Sequence, residues 1–303
     1  MRGAWDLTQK EFLVYIDGKY YPRSEAKVSV FDHGLLYGDG VFEGIKSYGG
    51  VVFKLKEHLD RLYFSAKAIM LDVPLSMEDM AKAVLETVRK NGLKDAYVRL
   101  VVTRGVGDLG LDPKKCPKSS VIIIAVPLLV LYDEEKRRKG MSMVVASVRR
   151  DPVDATTHEI KSLNYLNSIL AKIEANNVGA DEAIILDTHG LVSEATAENI
   201  FIVKNSKIMT PPATSGPLAG ITASVVKSVA EKLGYTVVER AITVAELYAA
   251  DEAFLTGTAA ELMPVREVNK RQIGEGKMGP VTERLLKEFL KVVKDPKQGT
   301  PIW

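Results

Sequence analysis

The chain has a single cysteine, Cys116, among 303 residues. No intramolecular disulfide can form and no thiolate-rich metal cluster can be built, so a reducing cytoplasmic setting is expected. Charge of one sign is also missing, because 41 basic and 39 acidic residues leave a net charge of +2. That balance gives no general attraction to nucleic acid or to an anionic membrane, and any cationic site must be local. The longest apolar run, VIIIAVPLLVLY, is too short and too interrupted by proline to cross a bilayer, and the opening MRGAWDLTQKEF is too polar for a signal peptide. Four histidines, His33, His58, His158 and His189, fall at no zinc-binding helical spacing, so no metal is expected. There is no fixed-period repeat and no low-complexity tract.

What is there is an ordinary globular composition, 46% apolar and 26% charged, in a chain long enough for two domains. Strand and helix patterns interleave. FLVYI, the Asp17-Gly18 turn and the following extended run predict a hairpin, and FEGIKSY with Gly49-Gly50 and VVFKL predicts another. KEHLDRLYFSAKAIM predicts a helix. A second helix opens at a capping box of Ser76 and Asp79 and closes at Gly92. AYVRLVVTR, SVIIIAV, MSMVVASV, DEAIILD, NIFIVKN and EAFLTGT read as strands, 221–233 as a helix, and Pro280 as the start of the last helix. The shift to DEEKRRKG predicts a linker over residues 127–140, between a smaller N-terminal α/β domain (1–126) and a larger C-terminal one (141–303).

Two glycine-rich stretches, GVGDLG and GEGKMG, match the dinucleotide fingerprint on paper. Neither sits in a strand–turn–helix unit, so both read better as tight turns. A different segment carries more chemistry. In HEIKSLNYLNSILAKIEANN, Leu163, Leu166, Ile169, Leu170 and Ile173 recur at helical spacing, which predicts a helix with an apolar stripe on one face. If that helix reaches back to Lys161, Lys161 and Tyr165 share one face. Taken alone, Lys161 is one more solvated surface charge. The loop TSGPLAGITAS frees backbone amides at a helix start, an arrangement that suits a phosphate or a plain cap equally well.

YGDGVFEGIKSY, EHLDRLYFSAK, EIKSLNYLNSILAK, LVSEATAENIF, PPATSGPLAGIT and FLTGTAAELMPV occur in the order and approximate spacing of the class IV pyridoxal-phosphate aminotransferases. This resemblance covers nearly the whole chain. FEGI, NYL and TGTAAE resemble the branched-chain amino-acid aminotransferases more than the D-amino-acid aminotransferases or aminodeoxychorismate lyases.

The resemblance implies a two-domain α/β chain of fold type IV, with mixed sheets of α+β type, forming a homodimer or a dimer-built oligomer. It also implies pyridoxal 5'-phosphate as cofactor and reversible amino transfer between leucine, isoleucine or valine and 2-oxoglutarate. Lys161 would attach to the cofactor aldehyde and, once freed, shuttle a proton as a neutral amine. Tyr165 would bond the phenolic oxygen, and Glu194 would keep the pyridine nitrogen protonated. Arg61, Gly220, Ile221, Thr222 and Thr258 would hold the phosphate. Leu218 would pack on the ring, with Glu198 and Asn199 in support. Phe42, Tyr97 and Arg99 would line the substrate pocket, with Arg104 the alternative cation for a glutamate side chain. Thr258 and Ala259 would meet the α-carboxylate, and Tyr37 would enter from the partner subunit. Leu128, Leu129, Val130 and Leu131 stand where aromatic residues line the pocket in some relatives. The rivals are a D-amino-acid or amine aminotransferase of the same class, a nicotinamide-dependent oxidoreductase built on the glycine motifs, and a cofactor-free interaction module.

Overall fold

A computed structural model describes residues 11–128 and 134–303 of the chain. Leu129, Val130 and Leu131 of the atypical pocket segment, and the first ten residues of the polar start, lie outside them. By contacts the chain divides into two compact units: Met1–Val130 with Ile160–Asn164 and Val293–Trp303, and Leu131–Glu159 with Tyr165–Val292.

In the first unit, β1 (Leu13–Ile16) and β2 (Lys19–Pro22) form the hairpin at Asp17-Gly18. A short helix α1 (His33–Tyr37) leads to β3 (Gly40–Tyr48) and β4 (Val51–Phe53), then to helices α2 (Leu55–Ala68) and α3 (Met77–Lys90), and to strands β5 (Ala96–Thr103) and β6 (Ser120–Pro127). Ser76 caps α3 by accepting from the Asp79 amide, while its own hydroxyl donates to the Asp79 carboxylate. With the terminal strand Gly299–Pro301 the sheet runs in the order Gly299–Pro301, β4, β3, β5, β6, β1, β2. Alternation sends Val41, Ile45, Val98, Leu100 and Val102 into a core with Leu55, Leu59 and Leu62 of α2 and Met80, Val84 and Val88 of α3. Phe42, Gly44, Tyr97 and Arg99 therefore take the opposite face of the sheet.

The second unit contains α4 (Glu134–Lys139), β7 (Met141–Arg149), α5 (Leu166–Asn177), β8 (Glu182–Leu186), β9 (Val192–Ala195), β10 (Asn199–Lys204) and β11 (Lys207–Thr210). It continues with α6 (Ile221–Lys232), β12 (Thr236–Glu239), α7 (Val244–Tyr248), β13 (Glu252–Gly257), β14 (Glu261–Val268), β15 (Arg271–Gln272) and α8 (Pro280–Val292). Its strands form one mixed sheet in the order β12-β11-β10-β13-β14-β7-β8-β9, with β15 on β14. Glu252, buried in β13, accepts from the Val281 and Thr282 amides and from the Thr282 hydroxyl, which anchors the start of α8.

Three expectations differ from the structure. The partition interrupts the domain drawn over 141–303, because Ile160–Asn164 bonds to β3 and the C-terminal strand pairs with β4 at the edge of the first sheet. Part of the linker drawn over 127–140 is the helix α4. Helix α5 begins only at Leu166, so Lys161 and Tyr165 share no helical face; the chain before it is irregular and bridges Ser162 to Val41. The apolar stripe of α5 is exposed at Leu166, Ile169, Leu170 and Ile173, and Ser168, Ala171 and Ala175 are the residues the helix buries. Gly105 and Gly274, which open the two fingerprint matches, both have positive φ and lie against backbone carbonyls, of Lys118 and Asp251 respectively. Neither lies at the start of a helix.

Candidate active site

The expected site residues fall into two groups. The first unit carries Tyr37, Phe42, Arg61, Tyr97, Arg99 and Lys161, and the second carries Tyr165, Glu194, Glu198, Asn199, Leu218, Gly220, Ile221, Thr222, Thr258 and Ala259.

Lys161 is fixed through its backbone. Its carbonyl accepts from the Phe42 amide (3.0 Å), its amide donates to Ser65 Oγ (3.1 Å), and Leu163 N donates to the Gly40 carbonyl (2.9 Å). These bonds lay the lysine beside β3 like a short extra strand. Nζ then stands 4.5 Å from the centre of the Phe42 ring. Ser65 is fully buried on α2, one helical turn beyond Arg61.

Arg61 is not solvated on that helix. Its Nε and Nη2 donate to the two oxygens of Glu43 at 2.7 and 2.8 Å, and His58 Nδ1 lies 2.7 Å from the same carboxylate. Glu43 is completely buried. Burial alone would raise its pKa, but the charges of His58 and Arg61 and their hydrogen bonds draw it down to about 2. For His58, burial outweighs the pull of Glu43 and lowers its pKa. Residues 58, 61 and 65 lie on one face of α2, so this face serves both Arg61 and the Lys161 backbone. Glu43, His58 and Ser65 were absent from the expected site. A carboxylate amid the apolar residues of VFEGI was the available signal, since such a charge needs a partner.

On the other face of β3 and β5, Arg99 Cζ sits 4.6 Å from the Phe42 ring centre, and its Nη2 donates to the Tyr97 hydroxyl at 3.0 Å. Gly44 leaves room for that hydroxyl, which a Cβ there would approach within 2.5 Å. Arg104 is committed elsewhere. It grips both oxygens of Asp39 and donates to the carbonyls of Ile69 and Met70 just past α2. That geometry makes it a structural clamp, whereas Arg99 lies against the Phe42 ring. Tyr37 is partly exposed and donates to the Leu109 carbonyl at 2.6 Å.

In the second unit, Glu194 lies buried on β9 and accepts from the Leu218 amide at 3.1 Å, while Asn199 Nδ2 donates to the Leu218 carbonyl at 2.8 Å. One loop residue is thus pinned on both sides. Arg150 Nε comes within 3.2 Å of Glu194 Oε1 without forming a hydrogen bond. Glu198 is held by burial and by the nearby charge of Glu182 in its neutral form, with a pKa pushed up to about 8. His158 and Tyr165 have ring centres 6.0 Å apart.

Helix α6 starts at Gly220, which supplies no side-chain cap, so the first amides look for an acceptor from outside the helix. A Cβ at Gly220 would fall 1.9 Å from Asn199 Oδ1, so glycine is required there. A cavity of about 300 Å³ opens beside this turn, lined by Asn199, Leu218, Gly220, Ile221 and Ser224 among others. Thr222 is buried in the first turn, and Thr258 and Ala259 are half-buried in the turn after β13. The buried Thr256 hydroxyl in that strand has no partner. The uncapped helix start and the unpaired hydroxyl suit an anionic group with many acceptors, such as a phosphate. Among the described residues, no group of His, Cys, Asp and Glu is arranged to hold a metal ion, and no helix is long and apolar enough to cross a membrane.

The second unit thus carries donors that suit an anionic group, and the first carries a lysine and an arginine against one aromatic ring. The family model described as "Amino-transferase class IV" matches residues 40–268, and the chain belongs to that family. A protein of Methanocaldococcus jannaschii, provisionally named a branched-chain-amino-acid aminotransferase, is 55% identical over 91% of this chain and 94% of its own. The crystal structure of the branched-chain amino acid aminotransferase of T.th. with pyridoxamine 5'-phosphate has a TM-score of 0.93 and 38% identity, covering 97% of this chain and 99% of the other. That of the branched-chain aminotransferase of Thermoproteus uzoniensis with norvaline has a TM-score of 0.90 and 41% identity, covering 97% and 100%.

Proposed function

We propose that this chain is a branched-chain amino-acid aminotransferase that uses pyridoxal 5'-phosphate to move the amino group reversibly between leucine, isoleucine or valine and 2-oxoglutarate. The observation that carries this reading is the Phe42 ring, which has Lys161 Nζ at 4.5 Å and Arg99 Cζ at 4.6 Å. A pocket walled by that ring takes an aliphatic side chain, and the arginine serves the second carboxylate of glutamate.

The cofactor fits the residues present, since the uncapped start of α6 and the unpaired Thr256 hydroxyl leave donors for a phosphate. When bound, pyridoxal phosphate supplies an electrophilic carbonyl carbon and a ring that accepts the electron pair released as the substrate Cα–H bond breaks. Lys161 would hold the cofactor through Nζ, and its neutral amine would accept and return the proton of the substrate α-carbon. The Tyr165 hydroxyl donates to the phenolic oxygen. Glu194 keeps the ring nitrogen protonated. The amides of Ile221 and Thr222, the hydroxyls of Thr222 and Thr258 and the Arg61 guanidinium would hold the phosphate, with Glu43 orienting Arg61. Ala259 N–H meets the α-carboxylate.

The chain works as a homodimer or a dimer-built oligomer in the cytoplasm. Support comes from the apolar residues Val30, Phe31, Leu35, Val106, Leu109 and Leu111, all exposed and joined by the Tyr37–Leu109 and Gly107–Phe31 hydrogen bonds. Covering this patch with a second copy would bring Tyr37 to a subunit boundary. Assays of the purified protein with L- and D-leucine and L- and D-alanine, each against 2-oxoglutarate, test the reaction. Turnover of L-leucine above the other three is expected, and preference for a D-isomer would overturn the substrate assignment.

A further inference from the structure

Among the described residues Arg150 is the largest fully buried side chain, only 1% exposed, and it has no place in the reaction described above. It follows β7, and its amide donates to the Leu186 carbonyl at 2.8 Å. Around its guanidinium, Nη1 contacts Asn167 Oδ1 at 2.9 Å, Ser168 Oγ at 3.2 Å and His158 Nε2 at 3.1 Å. Nη2 donates to the Ala195 carbonyl at 3.1 Å, and Nε lies 3.2 Å from Glu194 Oε1. A Cβ at Gly216, two residues before Leu218, would lie 3.2 Å from Arg150 Cγ, so the loop that donates to Glu194 rests on the arginine's stem.

These partners have a pattern. The chain leaves the second unit after Glu159, contributes Ile160–Asn164 with Lys161 to the first, and returns at Tyr165. His158 lies on the outgoing stem and Asn167 and Ser168 on the returning one, so a single guanidinium holds both stems together with the strand carrying Glu194. A planar group with five donors can do this, and a lysine cannot.

We propose that Arg150 is a positioning residue that holds Glu194 as an oriented carboxylate and so keeps the proton shared with the cofactor on the ring nitrogen, while fixing both stems of the Lys161 segment. The proposal rests on the reading that Glu194 faces that nitrogen. A fixed positive charge 3.2 Å from one carboxylate oxygen stabilises the ionised acid in a dry setting. Without it the acid becomes the stronger base and draws the proton off the ring.

The test is the ¹⁵N resonance of the ring nitrogen, with labelled pyridoxal phosphate bound to the purified enzyme. Unsubstituted protein should give the resonance of a protonated nitrogen. Arg150→Met should move it toward the unprotonated position, and Arg150→Lys, which keeps the charge, should leave it near the starting value. If Arg150→Met does not hold the cofactor, Arg150→Gln, which retains a donor for the Ala195 carbonyl, takes its place. An unmoved resonance in the neutral variant overturns the proposal, as does an equal shift in the neutral and lysine variants. Glu194→Gln separates the two claims: if it leaves the nitrogen protonated, the reading of Glu194 itself fails, and the proposal fails with it.

Discussion

Lys161 Nζ lies 4.5 Å from the centre of the Phe42 ring. The two residues are joined through the backbone by the bond from Phe42 N to the Lys161 carbonyl, so the spacing is set by pairing to a sheet edge and not by a side chain in search of a partner. A lysine held this way against an aromatic face loses rotamer freedom before any ligand arrives, which is what a nucleophile acting at one carbon requires.

Lys161→Ala should therefore abolish turnover of L-leucine while leaving the fold intact, because the backbone bonds to Phe42 and Ser65 do not need the side chain. The variant should still retain cofactor through the phosphate contacts. Measurable transamination by a variant that has lost the absorbance of the lysine-bound cofactor would remove Lys161 from its role.

Arg99→Ala should act selectively. A hydrogen bond to a charged group is worth roughly 1.5–3 kcal/mol, so binding of glutamate and 2-oxoglutarate should weaken by about ten- to a hundredfold, with little loss for L-leucine. Stopped-flow absorbance of each half-reaction reads the difference. Arg104→Met should instead lower stability and affect both substrates alike, since its donors are spent on Asp39, Ile69 and Met70. Equal losses for leucine and glutamate in Arg99→Ala would exclude the pocket role.

Glu43→Gln should be costly. It leaves the charge of Arg61 beside a neutral amide in a fully buried position, a change that typically costs about 3–5 kcal/mol. The folded pKa lies near 2 against an ordinary 4.5, so the stability that Glu43 contributes is complete above about pH 4.5 and is lost as the pH falls through 2. Denaturant titration at neutral pH gives the difference, and a variant as stable as the parent would refute the buried pair.

Glu198 has the opposite sign. Its pKa is raised from 4.5 to about 8, so its contribution is fully present below 4.5 and disappears as the pH rises through 8. Glu198→Gln cannot ionise. Thermal melts at about pH 5 and about pH 9 should show the parent losing more stability than the variant over that interval, and parallel losses would mean that Glu198 is ionised in the folded protein.

Much of the fold was legible in the sequence because its signals are local. The Asp17-Gly18 hairpin, the Ser76 cap and the Pro280 helix start each involve a few neighbouring residues whose backbone preferences agree. The placement of Lys161 was not legible. Its helical spacing to Tyr165 suggested a shared face, but pairing with β3 holds the segment outside the helix, and that partner is more than a hundred residues away in the chain. The α5 stripe marks a related limit: periodicity shows that apolar residues share a face, not whether that face meets the protein's own core. Tyr97 and Arg99 could be paired in advance because strand alternation fixes them to one side. Arg150 and Glu43 were missed because Arg150 lies in a charged stretch, Arg149-Arg150-Asp151, Glu43 is a single carboxylate in an apolar run, and each takes its meaning from partners in other elements.

The most direct test is the visible absorption spectrum of the purified protein before and after L-leucine, in the parent and in Lys161→Ala. The parent should carry a band in the visible region that L-leucine moves to shorter wavelength and 2-oxoglutarate restores, and Lys161→Ala should show neither the original band nor the cycle. A parent without a visible band, or one whose band ignores L-leucine, would contradict the account.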